Sequence, residues 1–176
     1  MITMIIGSMC SGKSTELFRR ANCLALGKIP YVILRPSTDT RKILVRGVKD
    51  DFKHLNIKVL DKLSDLEKPL MYKHILIDEF QFFEGGADFC NWLAARDVEV
   101  TVACLNSDSN AEGWKEVDKL FHHAENILKL NAVCSCCGDQ NATYSYFKGV
   151  KGSQISVGDS EYEPLCRKCY QAKMGL

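Results

Sequence analysis

Neither sign of charge dominates this 176-residue chain: 23 lysines and arginines stand against 22 aspartates and glutamates, for a formal net charge of +1. A protein that follows a nucleic-acid backbone needs a basic stripe, and the basic pairs Arg19-Arg20 and Arg41-Lys42 are isolated. No nucleic-acid partner is therefore expected. Also missing is any run of about 18 or more apolar residues, so no membrane-spanning helix is expected either. The first residues open directly into an apolar stretch, without a charged leader and cleavage site, and the expectation is a soluble, cytoplasmic protein. The chain lacks internal repeats and low-complexity segments, which leaves out solenoid and linker architectures. What remains is 46% hydrophobic and 26% charged, enough for one good core and little of a second.

That core begins with a phosphate-binding signature. Met4-Ile5-Ile6 is a short apolar run that breaks into Gly7-Ser8-Met9-Cys10-Ser11-Gly12-Lys13-Ser14-Thr15, a G-x-x-x-x-G-K-S loop. Gly7 and Gly12 allow a turn tight enough for successive N–H groups to face a phosphate. Lys13 supplies a fixed positive charge, and the Ser14 hydroxyl a Mg²⁺ ligand. Leu17, Phe18, Ala21, Leu24 and Ala25 then form one helical stripe that stops at Gly27.

Strands and helices alternate from there on. Residues 29–34 read as a strand buried on both faces and ended by Arg35-Pro36, and residues 57–60 as a short strand. A weak helix is expected from Ser64, ended by Pro69. Ile75-Leu76-Ile77-Asp78-Glu79 reads as a buried strand finishing in two acids. A helix over 87–96 would bury Phe89, Trp92 and Leu93; residues 98–105 form a strand, 114–122 a helix and 127–133 a last parallel strand. The pattern predicts an α/β fold, a doubly wound and mainly parallel sheet of P-loop NTPase type with ligands at the strand carboxyl ends. Asp78 at such an end fits a carboxylate that holds Mg²⁺ through water. Glu79, one residue on, would face the attacking nucleophile, as a base for a hydroxyl or a water.

Of nine cysteines, four fall in two C-x-x-C pairs, Cys134 with Cys137 and Cys166 with Cys169, the ligand pattern of a structural Zn²⁺ site; Cys136 is the odd one. The segment between, with Tyr144, Tyr146, Phe147, Ile155, Val157 and Tyr162, reads as a β-ribbon or long loop tied at its base by the metal. Two units are expected: residues 1–133 as the nucleotide-binding domain and 134–176 as a small zinc-anchored domain. Cys10, Cys23, Cys90 and Cys104 are read as thiols without chemistry.

Together these stretches resemble the type II thymidine kinases, the zinc-containing P-loop family. Gly7 to Leu17 is similar to the family's G-P-M-F/Y-S-G-K-S-T-E-L, Asp39-Thr40-Arg41 follows the second strand as it does there, and Asp78-Glu79-Phe80-Gln81-Phe82-Phe83 resembles D-E-G/C-Q-F-F/L. Tyr162 to Tyr170 completes the match around the second cysteine pair. The resemblance implies transfer of phosphate from ATP, with Mg²⁺, to the 5′-hydroxyl of thymidine and of deoxyuridine. It implies Glu79 as the base on that hydroxyl, with Asp39, Arg41 and Gln81 in motifs beside the site. Met9, Phe82, Leu105, Trp114, Ile155 and Tyr162 would line the nucleoside pocket, Tyr162 closing over it from a zinc-anchored lasso. Homotetramers and feedback inhibition by thymidine triphosphate are further family properties. The sequence departs from the family pattern at Phe80, where a small residue is usual, and at Asn106-Ser107 and Ser109. A P-loop ATPase whose zinc module binds nucleic acid is the alternative.

Overall fold

The computed structural model describes residues 1–39, 54–149 and 161–175. Six strands form one wholly parallel sheet: β1 (Ile2–Gly7), β2 (Tyr31–Pro36), β3 (Ile57–Leu60), β4 (His74–Ile77), β5 (Glu99–Leu105) and β6 (Asn126–Leu130), in the order β3-β2-β4-β5-β1-β6. Side chains alternate between its two faces, as a pleated strand requires. Met4, Val32, Ile75 and Val102 join one core cluster; their sequence neighbours Ile5, Ile33, Leu76 and Ala103 join another. Helix α1 (Lys13–Leu26) covers the second face with Leu17, Phe18 and Ala21. Helices α2 (Gly86–Ala94) and α3 (Lys115–Phe121) cover the first with Ala87, Cys90, Leu93, Val117 and Leu120. The expected doubly wound α/β sheet is therefore present.

The C-terminal module is built from an antiparallel ribbon, β7 (Tyr144–Phe147) with β8 (Tyr162–Leu165), and a helix α4 (Arg167–Met174). An antiparallel bridge between Ala132 and Ala142 begins it. Its own core is small: Ala132, Cys134, Ala142, Leu165, Cys166 and Tyr170.

Four local expectations are corrected. The helix expected from Ser64 is absent; short 3-10 turns at Leu63–Asp65 and Pro69–Met71 stand there, with Lys68 in the left-handed region ahead of Pro69. Trp92 is not core but 39% exposed, lying flat against Phe89 under the Arg96 guanidinium, because Cys90 and Leu93 take the inward positions. The last parallel strand ends at Leu130, after which the chain turns into the module. The strand before the two acids ends at Ile77, so Asp78 and Glu79 lie beyond it.

Candidate active site

The phosphate loop joins β1 to α1, so its N–H groups and the helix N-terminus face the carboxyl edge of the sheet. Gly12 sits at φ 86°, a conformation that suits glycine. At Gly7 a Cβ would come within 2.3 Å of the Leu130 carbonyl oxygen on β6, so only glycine lets the strands meet there. Lys13 is buried and its Nζ donates to the Ser8 carbonyl at 2.7 Å. Burial pulls its pKa down, and the nearby Glu79, Cys104 and Asp78 oppose that. The ammonium lies beneath the loop, where a phosphate would stabilise it.

β4 delivers Asp78 to the same edge, with β5 between it and β1. The Ser14 hydroxyl donates to Asp78 Oδ1 at 3.0 Å. Burial raises the Asp78 carboxyl to about 6, with Glu79 adding to the rise and Arg35, Ser14 and Lys13 opposing it. A buried carboxylate and a hydroxyl side by side, with a destabilised negative charge, fit a hard cation bound through oxygen and water. Arg35, taken from sequence only as the end of a strand, is part of this site: it pairs with Asp39 at 2.6 Å, and its Nε lies 3.9 Å from Asp78 Oδ2. An arginine closing a fully apolar strand was the signal available for it.

Glu79 is placed by its backbone, not by strand alternation. It adopts φ 50° and ψ 42°, the left-handed region, and caps a 3-10 turn over Phe80–Phe82. That turn sends neighbouring side chains to different places. Phe80 goes fully into the core, against Gly86, so this departure from the family pattern is absorbed by packing. Gln81 turns back to Glu79, donating to its Oε2 at 2.6 Å. Phe82 packs edge-on against Trp114, ring centroids 5.8 Å apart. The Trp114 indole N–H is buried without a partner among the described residues.

The ribbon is docked directly on the phosphate loop. Ser8 Oγ donates to the Ala142 carbonyl at 3.0 Å, and the Met9 N–H donates to Ser145 Oγ at 3.0 Å. Asn106 Nδ2 donates to the Thr143 carbonyl, and the Tyr170 hydroxyl to the Ser109 carbonyl, so two further departures from the family pattern lie at the contact with the module. Ser145 carried no sequence signal; a lone serine between Tyr144 and Tyr146 reads as an ordinary strand residue. Tyr162 lies on β8 with its ring 5.2 Å from that of Phe147. Leu105 ends β5, its N–H donating to Gln81. Arg41 and Ile155 lie outside the described residues.

Cys134, Cys137, Cys166 and Cys169 form one cluster, with ligand atoms all within 4.8 Å of one another. Cys137 and Cys166 sulfurs are 3.7 Å apart and all four thiols are free. A tetrahedral Zn²⁺ with Zn–S bonds of about 2.3 Å needs sulfurs about 3.8 Å apart, so the cluster could hold that ion. Burial disfavours a Cys134 thiolate, but N–H groups of Cys166, Cys137 and Cys136 outweigh it and bring the thiol down to about 6. Cys169 is pushed up by its hydrogen bonds to Cys137 and the other thiols. Four thiolates this close need a cation to coexist. Cys136 is exposed and outside the cluster.

A P-loop, an acid just beyond the end of a nearby parallel strand and a ribbon docked on the loop define a nucleotide-dependent phosphate-handling protein, with a four-thiol module as its distinguishing addition. The family model described as thymidine kinase matches residues 1–170, and the chain belongs to that family. A thymidine kinase of Choristoneura fumiferana entomopoxvirus is 39% identical over 96% of this chain and 95% of its own length. A Bacteroides fragilis (strain YCH46) thymidine kinase is 34% identical over 97% of this chain and 86% of its own. The Mesomycoplasma hyopneumoniae (strain 7448) thymidine kinase is 34% identical over 97% and 95%.

Proposed function

We propose that this chain is an ATP:thymidine 5′-phosphotransferase, moving the γ-phosphoryl group of ATP to the 5′-hydroxyl of thymidine and also of deoxyuridine. The observation that carries the reading is the division of labour between adjacent acids. Asp78 is bonded to Ser14 beside the phosphate loop, while a left-handed backbone turns Glu79 onto Gln81. Ser14 and Asp78 would hold Mg²⁺, which when bound with ATP neutralises charge on the β- and γ-phosphate oxygens. Lys13 and the loop N–H groups bind and orient the phosphates. Glu79 accepts the proton of the 5′-hydroxyl as its oxygen attacks phosphorus. Phe82 and Trp114 supply an aromatic wall for the base, with Met9, Leu105, Ile155 and Tyr162 as further lining. Asp39 and Arg41 are carried as further candidate site residues on the family motif alone.

In this reading Zn²⁺ occupies the four-cysteine cluster in a structural role, the protein assembles as a homotetramer, thymidine triphosphate inhibits it, and it works in the cytoplasm, where free thiols persist. Among the described residues no helix is long and apolar enough to cross a membrane. The nucleic-acid-binding ATPase is not favoured, since the formal net charge is only +1 and the module's ribbon is packed on the phosphate loop.

The test is a coupled ATP assay against thymidine, deoxyuridine, deoxycytidine and deoxyguanosine, with a control lacking nucleoside. Turnover is expected with thymidine and deoxyuridine alone; equal ATP hydrolysis without nucleoside would overturn the assignment. Glu79→Gln should lower kcat by about two to four orders of magnitude, as loss of a general base implies, while nucleotide binding stays intact.

A further inference from the structure

Gln81 has no assigned chemistry, yet it is only 7% exposed and makes two directed hydrogen bonds with its amide. Its Nε2 donates to Glu79 Oε2 at 2.6 Å, and its Oε1 accepts the Leu105 N–H at 3.1 Å. The orientation of the amide is fixed by those partners. A backbone N–H can only donate and a carboxylate can only accept, so a flipped amide would face donor with donor and acceptor with acceptor. Leu105 is the last residue of β5, the strand lying between β1, which leads into the phosphate loop, and β4, which leads into Asp78. Gln81 therefore refers the Glu79 side chain to the most central strand end of the site.

Glu79 needs such a reference. It is 8% exposed, beyond the end of its strand, and in a left-handed conformation that costs a non-glycine residue backbone strain. A glutamate has three side-chain torsions, and a general base acts only when its oxygen is held within hydrogen-bond reach of the proton. We propose that Gln81 is a positioning residue for the phosphoryl transfer: it holds one oxygen of the Glu79 carboxylate, and so sets the angle at which that carboxylate meets the substrate hydroxyl. The inference rests on Glu79 being the base, as set out above.

Two variants of the full-length protein separate positioning from simple support. Gln81→Met removes both bonds at similar volume. Gln81→Glu keeps an acceptor for the Leu105 N–H and loses the donor to Glu79. Both should lower kcat about 10- to 100-fold, the scale of a small misplacement of a catalytic group. The KM values for thymidine and ATP should stay within about threefold, since the interaction acts in the transition state and not in ground-state binding. Adding Gln81→Met to Glu79→Gln should change kcat by less than about twofold, because the group to be positioned is already gone.

ADP binding by calorimetry reports folding of each variant. If Gln81→Met fails to bind ADP, Gln81→Glu carries the test; if neither binds, Gln81 is a structural residue and the proposal falls. It falls also if Gln81→Glu keeps wild-type kcat, or if Gln81→Met costs as much in the Glu79→Gln background as alone. Wild-type turnover by Glu79→Gln itself would instead remove the base assignment. A crippled Glu79→Gln with fully active Gln81 variants would overturn only the positioning role.

Discussion

Asp78 is held in its site against its own solvation. Burial raises its carboxyl from an ordinary aspartate value to about 6, Glu79 adds to the rise, and the Arg35 guanidinium and the Ser14 hydroxyl recover only part of it. The folded protein thus binds this proton more tightly than the unfolded chain. The resulting destabilisation is full above pH of about 6 and fades as pH falls toward the unfolded aspartate value of about 3.9. Asp78→Asn, which keeps an acceptor for Ser14, should accordingly stabilise the metal-free protein at pH 7 by on the order of 2–3 kcal/mol while abolishing turnover. Urea denaturation of both proteins in chelator at pH 7 and pH 4 checks this. The gain should be large at the first and nearly gone at the second; equal gains at both would mean that the Asp78 charge is not what strains the site. At this scale the sequence was most legible where chemistry demands residue types, in Lys13, Ser14, Asp78 and the four clustered cysteines. It was silent where the partner is a backbone atom far away in the chain, as for Ser145 with Met9 and Gln81 with Leu105.

Elements position these residues through packing that composition alone does not reveal. The turn over Phe80–Phe82 can swing Glu79 and Gln81 into the site because Phe80 anchors it from below, and Phe80 fits only because α2 starts with a glycine. A Cβ on Gly86 would come within 2.7 Å of Phe80 Cε2 and 3.1 Å of Cζ. Gly86→Ala should therefore destabilise by about 1–3 kcal/mol, the range for overpacking a filled core. Phe80→Leu, costly alone, should recover part of that loss in the Gly86→Ala background because the two sites share one contact. Denaturation midpoints of the four proteins give the coupling; simple additivity would place the strain elsewhere. The central strands were readable since burial on both faces leaves a continuous apolar run. Helix α2 was readable as a helix but not in its rotation, because Cys90 and Trp92 compete for the inward position and the smaller thiol takes it. Helix α4 went unseen: it is short and polar, and only Tyr170 is buried from it.

Across the whole molecule, the small C-terminal module is packed on the glycine-rich loop between β1 and α1. Among the described residues six buried ones form its core, two of them cysteines of the cluster, and so small an apolar cluster gains from a metal staple. Tyr144 stacked on Tyr170, with centroids 4.5 Å apart, adds a further contact between ribbon and helix. A Zn²⁺ in the thiol cluster would contribute on the order of 10 kcal/mol of apparent binding free energy, enough to order such a module outright. Because β7 and the residues before it grip Ser8 and Met9, disorder in the module should reach the loop proposed for ATP as well as the proposed nucleoside pocket. Removing zinc with a chelator, or replacing Cys166 with Ser, is therefore expected to raise KM for both thymidine and ATP. The circular-dichroism melt of the α/β core should change far less, since its two clusters lie on the faces of the six-stranded sheet and include none of the module's residues. Parallel titrations of the zinc-free protein decide the matter. A rise confined to thymidine would mean that the ribbon touches the nucleoside alone, and unchanged constants for both substrates would mean that hydrogen bonds and aromatic packing hold the module without metal.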